Sequence, residues 1–132
     1  MTEPNAVATP STRVLRALTL RCPDCGGGGL FRRWLSLKSE CPTCHLKTDR
    51  GNRDHFVGAY LVNLIIAELL FAIGFGVWLL SVWPNVPWDR IEYVLVGAML
   101  VAPLVLYPFT RTVWLAADLI FDPPRASDFA QD

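Results

Sequence analysis

Four cysteines are the residues of this sequence best suited to chemistry. They stand in "CPDC" at 22–25 and "CPTC" at 41–44, and the chain has no others. The spacing is C-x2-C, then fifteen residues, then C-x2-C. Each C-x2-C turn aims two thiolates at one point, and two such turns complete a tetrahedron, the donor set of a closed structural zinc site. Cys22, Cys25, Cys41 and Cys44 are therefore the expected ligands of one structural Zn2+. Gly26 follows the first pair and supplies the permissive backbone that a tight knuckle needs. His45 stands in the corresponding place after the second pair, where a polar residue can take up the same turn.

Two other chemistries use the same sulfurs. "CPTCH", Cys41 to His45, satisfies the C-x-x-C-H haem-attachment pattern. That reading leaves Cys22 and Cys25 without a role, and 132 residues mostly spent elsewhere provide no cytochrome-sized domain. A thioredoxin-like pair would need a βαβ setting that the sequence lacks. An iron–sulfur cluster could take all four thiolates, and spacing alone leaves zinc and iron–sulfur open.

The elements that must hold the cysteines follow from the residues between them. The insert "GGGGLFRRWLSLKSE" fits a hairpin: glycines let the chain turn, and residues 35–38 alternate apolar and polar as a half-exposed strand does. So small a module cannot fold on burial alone, and a metal would supply the missing stability. A zinc-ribbon-like module is expected over 21–54, after a polar, disordered tail over 1–20. The first twelve residues lack the basic and apolar regions of a cleavable leader.

The rest of the chain is apolar. Composition is 52% hydrophobic and 18% charged with zero formal net charge, so global charge points to no acidic or nucleic-acid partner. Phe56 to Val82 contains only Tyr60 and Glu68 as ionisable side chains. As a helix this run reaches roughly 40 Å, enough to cross a hydrocarbon core of about 30 Å with tilt. Transmembrane helix 1 is expected over 55–83 and transmembrane helix 2 over 91–110, where Pro103 and Pro108 are tolerated as kinks. The connection at 84–90 is short and rich in turn residues, and Trp78, Trp83, Trp88 and Tyr93 cluster there as an aromatic belt. Residues 1–55 carry nine Lys/Arg, whereas the turn carries only Arg90. The positive-inside rule then predicts both termini in the cytoplasm, where thiols stay reduced.

Glu68 lies near the middle of the first span. An ionisable group there is costly, and it serves either an interhelical hydrogen bond, within the chain or to another protomer, or a proton or ion relay. Asn63 lies about 140° away around the helix and is no obvious partner for it. Ala72 with Gly76, and Ala98 with Ala102, form small-xxx-small faces that would permit close packing. After the second span, 111–122 reads as an amphipathic juxtamembrane helix ended by Pro123 and Pro124, with 123–132 as a tail. Arg111, Asp118 and Asp122 share one stripe; Val113, Ala117, Ile120 and Phe121 fall on the other side. Such a helix would dock on lipid or on the cysteine module. "FRRW" joins basic and aromatic residues on the hairpin, so Arg32, Arg33, Trp34, Arg111 and Asp118 are the candidate interface residues. Nucleic acid is the less economical partner for them beside an anionic membrane. His55 borders the first span and reads as interfacial. No Ser/His/Asp set, phosphate loop or carboxylate pair appears, and four cysteines leave a zinc no open position, so an enzyme is not expected.

The order "CPDCGGGGLF", "CPTCHLK", a two-span hairpin with "WP" at its turn, and "LYPFTRTVWLAADL" resembles the bacterial family catalogued as domain of unknown function 983. The resemblance covers roughly Arg21 to Phe121. It implies a small integral membrane protein with a zinc-ribbon-like N-terminus and no established activity, and some family members are encoded near respiratory-oxidase genes. His45 departs from the glycine common at that place in the family. The expectation is thus a membrane α-helical hairpin of two transmembrane helices with a small N-terminal four-cysteine zinc-ribbon-like module. Its expected location is the bacterial inner membrane, multi-pass. Its expected role is a zinc-stabilised membrane-anchored adaptor or assembly factor, for a respiratory or other membrane complex, with the bilayer, a protein partner and further copies of itself as partners. The alternative is a transport or proton-relay component using Glu68, and behind it a haem or redox protein.

Overall fold

The computed structural model describes residues 8–51 and 54–130. Residues 1–7 of the expected tail, Arg53 among the basic residues, and residues 131–132 lie outside the described residues. The rest of the segment read as a tail is not one. Helix α1 runs Pro10–Leu18. Thr9 caps it by accepting from the Thr12 amide, and Pro10 occupies the first turn, where its missing N–H is not needed. The helix survives because its Arg13–Ala17 side is buried against the last long helix. The Arg13 guanidinium donates to the Leu119 carbonyl, and the Thr112 hydroxyl donates to the Ala17 carbonyl at 2.8 Å.

The fifteen-residue insert forms the expected hairpin, with β1 at Phe31–Arg33 pairing antiparallel to β2 at Ser36–Leu37. Trp34 and Leu35 make its tip. Two long helices follow, α2 at His55–Val82 and α3 at Trp88–Phe121, then a short 3-10 helix at Ala126–Asp128. Both long helices are apolar enough to cross a membrane. In their most apolar stretches, none of α2 and 11% of α3 is covered by the rest of the chain. A core helix of a soluble protein would be covered, so this is the membrane hairpin with an appended cysteine module. Span 2 and the juxtamembrane helix are one continuous α3, unbroken by Pro103 and Pro108.

The spans meet where the sequence reading did not place them. The buried stripe of α2 is His55, Ala59, Asn63 and Ala67, in steps of four. The Asn63 side chain donates to the Pro103 carbonyl at 3.1 Å. Asn63 therefore makes the interhelical hydrogen bond expected of Glu68, at the stretch of α3 where its prolines disturb the backbone ladder. Gly76 meets nothing within 4 Å of where a Cβ would lie, and Ala72 is exposed. The close approach is at Gly58 instead, where a Cβ would lie 2.2 Å from Trp114 Cζ2. A rigid indole cannot yield that much. Gly58→Ala is expected to destabilise the hairpin by about 1–3 kcal/mol, read as a lower unfolding temperature in detergent against Gly76→Ala, which should be nearly silent.

The C-terminal segment also departs from a free tail. Leu46 pairs with Phe129 as an isolated bridge, the Lys47 amide donates to the Asp128 carbonyl at 2.8 Å, and the Ala130 amide donates to the His45 carbonyl at 2.8 Å. Pro123 and Pro124 end α3, as expected, but they turn the chain back onto the cysteine module.

Candidate metal centre

The two knuckles are built alike. In the first, the Gly26 amide donates to the Cys22 carbonyl at 2.8 Å and Gly26 has φ +78°. In the second, the His45 amide donates to the Cys41 carbonyl at 3.0 Å and His45 has φ +60°. The turn after each cysteine pair needs a left-handed residue, which glycine takes freely and other L-residues take at about 1–2 kcal/mol. His45 thus stands where glycine stands in the first knuckle, exposed and apart from the sulfurs. His45→Gly is expected to stabilise the module by about 1 kcal/mol without changing metal stoichiometry. Thermal unfolding beside metal analysis would check both; a haem ligand could not be lost so harmlessly.

The knuckles bring all four Sγ atoms within 4.8 Å of one another. Cys22 Sγ lies 3.8 Å from Cys44 Sγ, and Cys25 Sγ lies 3.8 Å from Cys41 Sγ. A disulfide would need about 2.05 Å. A tetrahedron with metal–sulfur bonds of about 2.3 Å has edges of about 3.8 Å, so the four sulfurs are placed to hold one metal ion. A multi-iron cluster spreads its thiolates over separate irons and would hold them further apart. The amide of Gly27 points at Cys25 Sγ from 3.3 Å, a donor that favours thiolate. A Cβ on Gly27 would lie 2.4 Å from Thr43 Oγ1, so the first knuckle seats directly on the second.

Cys22 and Cys41 are fully buried, in one core with Leu30, Leu46, Leu115 and Leu119. The four-cysteine site therefore shares its core with the juxtamembrane part of α3. That helix packs through Thr112, Leu115, Ala116 and Leu119, whereas Phe121, assigned to the apolar side in the sequence, is 88% exposed. Of the two docking alternatives, the cysteine module is the one it meets. From α1, Arg16 donates to the Asp24 carbonyl at 2.5 Å, and Arg13 pairs with the Asp24 carboxylate at 3.7 Å. Helix α1 thus buttresses the first knuckle. The signal for it, Thr9–Pro10 before "STRVLRAL", is a helix start that a generally polar composition obscures.

Among the thiols, the Cys44 hydrogen bond holds Cys22 down to about 5, while burial pushes Cys25 up to about 11. The hydrogen bond to Cys22 keeps Cys44 protonated, its pKa well above the ordinary thiol value. A metal must displace the protons of Cys25 and Cys44, so affinity should fall as pH falls. Competition with a chromophoric chelator between pH 8 and pH 6 should show progressive release toward the lower pH.

The other singled-out residues lie apart. Arg50 is the hub of a second cluster that the sequence reading missed. Its Nη1 donates to Asp118 Oδ2 at 2.8 Å and the Asp122 carbonyl at 2.7 Å, and its Nη2 donates to Asp128 Oδ2 at 2.7 Å. Asp118 is thereby engaged within the chain. The Arg111 guanidinium sits 3.9 Å from the centre of the Phe56 ring. Arg32 and Arg33 are exposed. Trp34 Nε1 donates to the Leu104 carbonyl at 3.1 Å, which Pro108, four residues on, leaves without its helical donor. His55 is buried, with Nδ1 4.0 Å from Asp118 Oδ2. Glu68 is exposed, makes no hydrogen bond or ion pair among the described residues, and lines a cavity of about 250 Å³ with Ala67, Ala98, Met99 and Pro103.

A two-helix membrane hairpin whose one end is capped by a four-thiolate metal-binding module is the class that fold and site define. The chain belongs to the family described as "Protein of unknown function (DUF983)", whose sequence model matches residues 31–118. The match takes in the hairpin, the second knuckle, all of α2 and α3 as far as Asp118, and starts after Cys22 and Cys25. No curated protein and no solved structure matches the chain.

Proposed function

We propose that this protein is a membrane-anchored adaptor or assembly factor for a membrane complex, with Zn2+ as a structural ion and no catalysis of its own. The observation that carries the reading is the saturated centre. The four sulfurs lie within 4.8 Å of one another, two pairs of them at 3.8 Å, and Cys22 and Cys41 share a core with α3. Zinc so bound has no position for water or substrate, so its contribution is to shape. Zinc is preferred to iron because the closed four-thiolate geometry suits an ion without redox chemistry. The module, α1 and the C-terminal segment gather at one end of the hairpin, and the excess of basic residues before the first span supports the cytoplasmic side of a bacterial inner membrane for that end.

The test compares partner association of the full-length protein on native gels of solubilised membranes with metal content. Cys41→Ser/Cys44→Ser should abolish both, while Glu68→Gln should change neither. The relay reading has in its favour that Glu68 lines a cavity between the spans. Loss of association or of proton flux in Glu68→Gln, with zinc retained, would favour it over the adaptor.

A further inference from the structure

The indole of Trp34 marks a depth. It donates to the Leu104 carbonyl, and its ring stands edge-on to Phe109 at 6.3 Å between centroids. Leu104 precedes Arg111, the first charged residue at this end of α3, by seven residues, or about 10 Å of helix rise. The tip of the β1–β2 hairpin therefore reaches about 10 Å past the level at which α3 ceases to be apolar. Yet Trp34 remains 53% exposed and Leu35 47% exposed. Nothing else in the described chain covers them, and beside α3 at that depth the surroundings are acyl chains rather than water. Their exposed surface continues that of Val101, Leu104 and Val105, the lipid-facing residues of the same span. Arg32 and Arg33 precede the tip on β1 and are exposed. At about 3.3 Å per residue they lie within roughly 7 Å of it, and long basic side chains reach that far back to the headgroups.

We propose that the β1–β2 hairpin of the metal module is a membrane-inserted element. Trp34 and Leu35 enter the acyl region beside α3, and Arg32 and Arg33 hold anionic phospholipid headgroups above them. Aromatic residues favour this boundary, and basic residues next to it gain from anionic lipid. The module is then fixed at both ends, by the core it shares with Leu115 and Leu119 and by a wedge in the leaflet. The inference rests on α2 and α3 spanning the bilayer, and its test separates the two.

The full-length protein is reconstituted in vesicles of mixed phosphatidylcholine and phosphatidylglycerol. A photoreactive benzophenone amino acid is placed at Leu35, at Leu80 as an in-span control, and at Glu40 at the hairpin base. After illumination, Leu35 should give lipid adducts at a yield close to Leu80 and several-fold above Glu40. Those adducts should be enriched in phosphatidylglycerol, and Arg32→Gln/Arg33→Gln should return the enrichment to the mixing ratio while total yield stays. Adducts at Leu80 with only the Glu40 level at Leu35 would overturn insertion and leave the membrane hairpin standing. Adducts at Leu35 to protein, a second copy or another chain, would also overturn it. An enrichment unmoved by the arginine changes would overturn the headgroup assignment. Absence of lipid adducts at Leu80 would remove the spanning premise itself.

Discussion

Cys41→Ser/Cys44→Ser is expected to leave the spans helical and unfold what they carry. Purified protein should hold about one zinc per chain, and the variant none. Structural zinc contributes on the order of 10–16 kcal/mol of apparent binding energy in small fingers, which exceeds the usual 5–15 kcal/mol stability of a whole domain at its lower end. The module has little to replace it. Its sheet is two strands of three and two residues, and its core is six residues, two of them cysteines and two borrowed from α3. Proteolysis of the variant should therefore open sites between residues 21 and 51 that are closed in the parent. It should also expose the segment after Pro124, which is held by its contacts to the second knuckle, while α1 keeps its seat on α3. Hydrogen exchange would check this directly: fast exchange in those segments, with slow exchange kept in α2 and the membrane part of α3. Protection retained throughout without metal would mean that the centre is not structural.

The second large effect is expected from Arg50. Its side chain is 7% exposed and meets Asp118, Asp122 and Asp128, whose side chains are 31%, 50% and 11% exposed. Breaking a buried pair by removing one partner costs about 3–5 kcal/mol, because the other charge stays behind. Asp118 and Asp122 can be rescreened by water, so Arg50→Ala should cost on the order of 2–3 kcal/mol. Arg50 has φ +49°, so Arg50→Gly, which relieves the backbone while losing the same ion pairs, should cost less than Arg50→Ala. That ordering is specific to this residue and would not arise from a generic loss of charge. Burial opposes the Arg50 charge, but the hydrogen bonds it donates to Asp128 and Asp118 outweigh it and raise its pKa, so the cation persists at any working pH. The backbone amide of Arg125, then the Arg50 hydrogen bond, hold Asp128 below its ordinary 3.8. A depressed folded-state value means that this stabilisation is complete above about pH 4 and fades as pH falls below it. The C-terminal segment should therefore loosen on acidification below pH 4 in the parent and be loose already in Arg50→Ala, as read by exchange of residues 123–130.

Much of the molecule follows from local pattern. The two C-x2-C pairs declare a shared metal because two such turns have few ways to place four thiolates other than around one ion. The left-handed turn at His45 follows from its register with Gly26 in the twin knuckle. The apolar runs declare the spans because a 27-residue stretch with one carboxylate is, as a helix, long and apolar enough to cross a hydrocarbon core of about 30 Å. Such features depend on residues close in sequence, and their physics is complete within one turn or one helix.

Other features depended on which segments meet. Nothing in "STRVLRAL" says that Arg13 will reach the Leu119 carbonyl across 106 residues. Asn63 and Glu68 are both polar groups in one apolar helix, and only the azimuth of α3 decides that Asn63 is buried against Pro103 while Glu68 stays exposed at the edge of the cavity between the spans. The small residues that matter are Gly58 and Ala59 rather than Ala72 and Gly76: the bulky Trp114 lies against Gly58, and Ala59 belongs to the buried stripe of α2. The sequence alone determined a four-thiolate centre joined to a two-span hairpin. The tertiary structure alone decided that α1, the hairpin tip and the C-terminal segment lock that centre onto α3. Periodicity and spacing report a residue's own element, whereas these contacts depend on the relative rotation and translation of elements distant in the chain.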